Sequence, residues 1–195
     1  KEDGTVPADN PFVGRADALP EIYTYGHRNP QGLVMHPTTG DIFVTEHGPQ
    51  GGDELNHVKP GLNYGWPVIG AGVQYGGRSI HATREKEGME QAIQYWVPSI
   101  GTSGLMFYTG DKFPKWQGNL FVGALAARNV ARLTLEPADG GYTVKALERP
   151  PLLAGLGRVR EVRQGPDGYI YVAFDDRAGG KLTSVVRFEP VNTAN

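Results

Sequence analysis

Gly40-Asp-Ile-Phe-Val-Thr-Glu46 sets a pattern that returns twice, as Gly118-Asn-Leu-Phe-Val-Gly-Ala124 and Gly168-Tyr-Ile-Tyr-Val-Ala-Phe174. Each copy is a glycine followed by a β-rich run with an aromatic fourth residue and a valine fifth. Each follows a turn: Pro37-Thr-Thr-Gly40, Pro114-Lys-Trp-Gln-Gly118 and Gly165-Pro-Asp-Gly168. Residues with high β propensity behind turn residues read as strands. The copies lie 78 and 50 residues apart. A period near 50 suits one four-stranded propeller blade, and 78 suits a blade with a long insertion.

The flanking stretches repeat as well. Gly32-Leu-Val-Met-His36, Gly104-Leu-Met-Phe-Tyr108 and Val159-Arg-Glu-Val-Arg163 each precede a copy. Val130-Ala-Arg-Leu-Thr-Leu-Glu-Pro137 and Ser184-Val-Val-Arg-Phe-Glu-Pro190 follow two of them. The expected architecture is all-β, with about three propeller blades and room for part of another at the start. Three blades cannot close a ring. The chain is therefore expected to be half of a larger propeller or to pair with a companion chain. An insertion is expected at about 49–98, and its one helix-like piece is Ala82 to Ile93. Excursions of that length in a compact fold usually carry function.

Composition agrees with this reading. The 195 residues include 28 glycines and 15 prolines, more than a fifth of the chain against a usual share of about 12%. That disfavours a helix bundle. Segments this short and glycine-rich leave no room for the crossover helices of a parallel α/β fold. A β-sandwich is the alternative architecture. Nineteen basic against 21 acidic residues give a net charge of −2, so no basic surplus calls for nucleic acid or an acidic membrane. The absence of cysteine removes disulfides, thiolate metal sites and thiol catalysis. No apolar run is long enough to span a membrane as a helix, and the opening residues lack the apolar core of a signal peptide.

Two loops concentrate polar chemistry. Gly26-His-Arg-Asn-Pro-Gln-Gly32 offers Arg28, Asn29 and Gln31 as donors to carboxylate or quinone oxygens. Its plainer reading is a capped turn at a blade edge. Glu46-His-Gly-Pro-Gln-Gly-Gly-Asp-Glu-Leu-Asn56 supplies acids, amides and exposed carbonyls, the oxygen donors a hard cation takes. Its plainer reading is a solvated acidic turn. Asp53 and Glu54 reach one ion together only on a loop, because a strand points them apart. In Gly157-Arg-Val-Arg160, an extended chain puts Arg158 and Arg160 on one side, suited to a multiply charged anion; taken alone, their plainer reading is a pair of surface arginines. Trp66 and Trp96 read first as core residues, with a pocket wall as the second reading. The five histidines show no zinc spacing, and His47 is the one inside the cation-type loop. There is no Gly-x-Ser-x-Gly elbow, phosphate-binding loop or dinucleotide fingerprint.

These motifs, with Asn63-Tyr-Gly-Trp-Pro67, Ser103-Gly-Leu-Met-Phe-Tyr108, Gly157-Arg-Val-Arg-Glu161 and Gly165-Pro-Asp-Gly-Tyr169, occur in the order of a known family. The chain resembles the C-terminal half of the soluble quinoprotein sugar dehydrogenases, and within them the aldose sugar dehydrogenase branch. These are six-bladed propellers using pyrroloquinoline quinone (PQQ) and calcium. The resemblance implies oxidation of an aldose sugar to a lactone by hydride transfer to the quinone, with electrons passed to an external acceptor. It implies a periplasmic or secreted location.

Residue by residue, it implies that Arg28, Asn29 and Gln31 meet the cofactor and the substrate side, with Arg28 steadying the reacting oxygens. Arg158 and Arg160 would hold the cofactor carboxylates. The carbonyls of Gly48 and Pro49 would bind the catalytic calcium, and Glu54 with the backbone of Tyr64 a second calcium. Trp96 would line the cleft. Ala126 stands where some members carry a cofactor-binding lysine, with Arg128 close by to substitute. The family's catalytic histidine lies in the N-terminal half, outside this chain. Two other readings are a non-catalytic propeller that binds protein or carbohydrate, and a calcium-stabilised structural domain.

Overall fold

The computed structural model describes residues 1–80, 83–175 and 184–191. The strands are β1 (Pro30–Met35), β2 (Ile42–Glu46), β3 (Asp53–Val58), β4 (Gln94–Trp96), β5 (Thr102–Phe107), β6 (Leu120–Ala124), β7 (Asn129–Ala138), β8 (Gly141–Leu147), β9 (Val159–Gln164), β10 (Ile170–Phe174) and β11 (Val185–Arg187). They form three antiparallel sheets, ordered β1-β2-β3-β4, β5-β6-β7-β8 and β11-β10-β9. The three glycine-led copies are β2, β6 and β10, the second strand of each sheet. Three blade-like sheets are present among the described residues, without ring closure. Residues 1–29 add no strand.

The sheets stack through their first strands, β1 against β5 and β5 against β9. Glycine permits the approach. A Cβ on Gly32 would stand 2.5 Å from the Ser103 carbonyl, and one on Gly104 would stand 2.7 Å from the Val162 nitrogen. All six residues of β5 are buried, because the middle sheet has a neighbour on each face. Its pleat sends Leu105, Phe107, Leu120, Val122 and Leu133 into the core with Phe43 and Leu55 of the first sheet. The intervening Met106, Tyr108, Phe121 and Val130 join Val159, Val162, Ile170 and Val172 of the third. Each such side chain contributes about 1.5–3 kcal/mol relative to exposure. The outer faces have no such cover: Leu33 and Met35 of β1 are 64% and 62% exposed.

Within the expected 49–98 insertion, 53–58 and 94–96 are strands of the first sheet. The irregular excursion runs over 59–93. The helix expected at Ala82–Ile93 is absent among the described residues 83–93, while Ala82 lies outside them. Gly88 adopts a left-handed φ of 78°, which ends any helical run there. The Glu90 N–H then bonds back to the Asn63 carbonyl at 2.8 Å.

Candidate functional site

Each first-strand pair carries a register shift at the start of the first strand. In the first sheet Pro30 faces Glu46 and Gly32 faces Thr45, leaving Gln31 as the extra residue. In the third, Val159 faces Phe174 and Glu161 faces Ala173, leaving Arg160 as the extra residue. A matching shift lies between Thr102 and Leu105 in the second. Such bulges re-aim side chains at sheet rims, and two of them hold residues singled out from the sequence.

The strand starts lie at one end of the molecule. His47 Nε2 is 2.6 Å from the Thr102 carbonyl, linking the first sheet to the second. The Ser103 hydroxyl donates to the Val159 carbonyl at 2.7 Å, linking the second to the third. This end therefore gathers Arg28, Asn29, Gln31, Gly48, Pro49, Arg158 and Arg160. Arg128 is here too, exposed on the β6–β7 turn with φ 55°.

Glu46, buried at the end of β2, organises the first loop. Its Oε2 accepts the backbone N–H of Arg28 at 2.7 Å and of Asn29 at 3.4 Å. Its Oε1 accepts from His27 Nδ1 at 2.8 Å and Asn56 Nδ2 at 2.9 Å. The His27 ring stacks on Tyr64 with centroids 4.6 Å apart. Gly26, at φ 77°, brings the loop onto the excursion, where a Cβ would lie 2.1 Å from Asn63 Oδ1.

Held this way, Arg28 donates from Nη1 to the carbonyls of His47 and Gly48, both at 3.0 Å. Its guanidinium lies 5.3 Å over the Trp66 ring. Gln31 Nε2 donates to Asn29 Oδ1 at 3.0 Å. A small cavity is lined by Arg28, Gly48, Pro49, Glu54, Tyr64 and Trp66 among others. It joins residues that the resemblance divided between two calcium sites. Trp96 does not line it. That ring is buried in the core with Phe43 and Leu55, and Trp66 is the tryptophan at the cavity wall.

β3 alternation separates the adjacent acids, since Asp53 turns into the joint with the second sheet while Glu54 lines the cavity. Burial pushes Glu54 up to about 7, against the pull of the Asn56 amide, with the Glu46 and Asp53 charges adding to the rise. A cation beside this carboxyl would favour its ionised form. Burial also pushes the Tyr64 phenol up to about 12.

In the third sheet, fully buried Val159 separates the two arginines. Arg160 Nη2 donates to Asp175 Oδ2 at 2.6 Å. Arg158 Nε is buried and has no hydrogen-bond partner among the described residues. Such an orphaned donor is costly unless something accepts from it.

The donor set fits the implied groups. Arg28, Arg158 and Arg160 suit a polycarboxylate. The His47 and Gly48 carbonyls already converge on a cationic guanidinium, as hard-cation ligands would. Among the described residues no cluster of three acidic or histidine side chains could hold a metal, so backbone oxygens must contribute to any such site. Sequence reasoning passed over Glu46 and His27 as organisers. The signal available was an acid at a strand end facing a His-Arg-Asn loop.

The chain belongs to the glucose/sorbosone dehydrogenase family, whose model matches residues 1–184. It is 42% identical to aldose sugar dehydrogenase YliI of Escherichia coli over 184 residues, covering 93% of this chain and 48% of that protein. A crystal structure described as glucose dehydrogenase superposes with a TM-score of 0.87 at 47% identity, over 96% of this chain and 52% of that one. The PQQ-bound aldose sugar dehydrogenase of Streptomyces coelicolor matches with a TM-score of 0.67 at 28% identity, over 96% of this chain and 49% of that one. The chain spans about half the length of the curated relatives it matches. Among the described residues no helix is long and apolar enough to cross a membrane.

Proposed function

We propose that the chain is the C-terminal half of a six-bladed, PQQ-dependent aldose sugar dehydrogenase. The observation that carries this reading is the gathering of three arginines, two amide side chains and cation-facing carbonyls at one end of three sheets, with Arg158 Nε lacking an acceptor among the described residues. Family membership and the PQQ-bound relative support it. PQQ, when bound, supplies a two-electron acceptor for hydride from the anomeric carbon of an aldose.

This chain's residues bind and orient. Arg158 and Arg160 would take the carboxylates of PQQ. Arg28, with Asn29 and Gln31 beside it, would face the quinone oxygens, where positive charge favours reduction. The Gly48 and Pro49 carbonyls would hold a calcium ion, and Glu54 with the Tyr64 backbone would supply further oxygen ligands. The base that takes the sugar hydroxyl proton would come from the N-terminal half, on the same longer polypeptide or on a companion chain. Electrons would leave to an external acceptor, outside the cytoplasm.

The test is a visible-spectrum titration with PQQ and calcium, followed by glucose in the same cuvette. Saturable binding and a reduced-quinone spectrum are expected of the full-length protein. Binding without reduction is expected of the 195-residue chain alone. Calcium binding with no quinone binding would leave only a structural calcium domain. Absence of both would leave a recognition role.

A further inference from the structure

Two side chains tie the turn at Gly48-Pro49 to the neighbouring sheet: His47, against the Thr102 carbonyl, and Asp53, the one that also reaches the Gly48 N–H itself. Asp53, the first residue of β3, is 1% exposed. Its Oδ1 accepts the Gly48 N–H at 3.0 Å and the Ser99 hydroxyl at 2.6 Å. Its Oδ2 accepts the Gly101 N–H at 2.6 Å and the Thr102 N–H at 3.2 Å. Gly48 lies just after β2 of the first sheet. Ser99, Gly101 and Thr102 form the crossover that starts β5 of the second. Gly48 itself packs against backbone, where a Cβ would stand 2.2 Å from the Gly51 carbonyl.

We propose that Asp53 is a positioning residue for the cation-binding turn. It sets where the Gly48 and Pro49 carbonyls stand relative to the second sheet, and so couples calcium affinity to the seam between the sheets. The proposal rests on the calcium and quinone reading above. A carboxylate is suited to this place because all four groups facing it are donors. An amide of the same shape can accept on one side only. The Ser99 hydroxyl can reverse and accept, whereas the backbone N–H groups of Gly101 and Thr102 cannot. In Asp53→Asn the side-chain oxygen therefore stays toward Gly101 and Thr102. Its amide nitrogen meets the Gly48 N–H, donor against donor. The seam is kept and the turn is released.

The test uses the full-length protein, with calcium chloride and PQQ as probes. For Asp53→Asn, the calcium concentration giving half-maximal thermal stabilisation should rise about tenfold, the worth of one hydrogen bond to a charged group. The PQQ absorbance titration should weaken in parallel and recover in excess calcium. Ser99→Ala, which keeps the carboxylate, should give a smaller rise of about two- to threefold. Tyr142→Phe removes the contact to Asp41 at the opposite end of the same seam. It should lower the melting temperature and leave the calcium midpoint where it was.

A wild-type midpoint in Asp53→Asn overturns the proposal, as does an equal shift in Tyr142→Phe. If Asp53→Asn does not fold, an unchanged midpoint in Ser99→Ala overturns it. A wild-type protein that takes neither calcium nor PQQ overturns the underlying reading, and the proposal with it.

Discussion

Arg158 carries a buried Nε that has no acceptor among the described residues, while Arg160 is engaged by Asp175. The two arginines should therefore respond differently to truncation. Arg158→Ala removes an unsatisfied donor, so it should barely disturb folding yet weaken PQQ binding by about 1.5–3 kcal/mol, read from the absorbance titration. An unchanged titration would remove Arg158 from the cofactor site. Glu54 should show opposite signs in two assays. Its raised folded-state pKa means that its ionised form opposes folding above about pH 4.3, the unfolded value. Glu54→Gln should therefore raise the calcium-free melting temperature at neutral pH, by about 1–3 kcal/mol of stability, while shrinking the stabilisation that calcium adds. Parallel losses in both assays would show that Glu54 serves the fold and not a cation.

At the scale of the strand, the repeat was legible because β2, β6 and β10 share one turn chemistry and one pleat pattern. The arginine and amide motifs were legible because their residue types are dense in donors. What a linear reading could not show was the bulge. Gln31 and Arg160 owe their place to one extra residue against the partner strand, and register is a property of two strands. Trp96 shows the same dependence on pairing. Pairing with Asp53 puts it in the core, while Trp66, eight residues after Val58, returns to the cavity through the excursion. The Ala82–Ile93 helix expectation weighed composition over the single glycine that breaks it. The glycines of the first strands make a sharper prediction. Gly104→Ala would place a methyl 2.7 Å from the Val162 nitrogen and 2.8 Å from the Glu161 Cα. Backbone cannot swing aside, so the change should cost about 1–3 kcal/mol in chemical denaturation; an unchanged midpoint would show that the sheets can part at this point.

Across the whole molecule, the seam between the first two sheets has unlike ends. The polar end holds Asp53 and His47. At the other, Phe43, His36, His57 and Tyr142 stack or meet edge-on, and the Tyr142 hydroxyl donates to Asp41. Hydrogen bonds from Thr39 and then Tyr142 hold the Asp41 carboxyl below the usual carboxylate range. Its contribution is therefore complete above the unfolded value of about 3.9 and is lost as pH falls through the lower folded value. The stability gap between wild type and Tyr142→Phe should be constant near neutrality and should narrow in acid, measured by denaturation from pH 7 downward. A gap that widens in acid would contradict the ion-assisted contact. Leu33 and Met35 leave the first sheet with an uncovered face.

The Arg28 guanidinium over Trp66 gives the protein an optical reporter of its own. Indole emission is sensitive to a nearby positive charge, and Arg28 is the side chain that would shift as its carbonyl partners take up a metal ion. Trp96 is buried against the core and Trp116 lies under Arg132, neither of them lining the Arg28 cavity, so both provide a steady background. Occupancy can thus be followed by light from an unlabelled sample, with Trp66→Phe removing the responsive part of the signal.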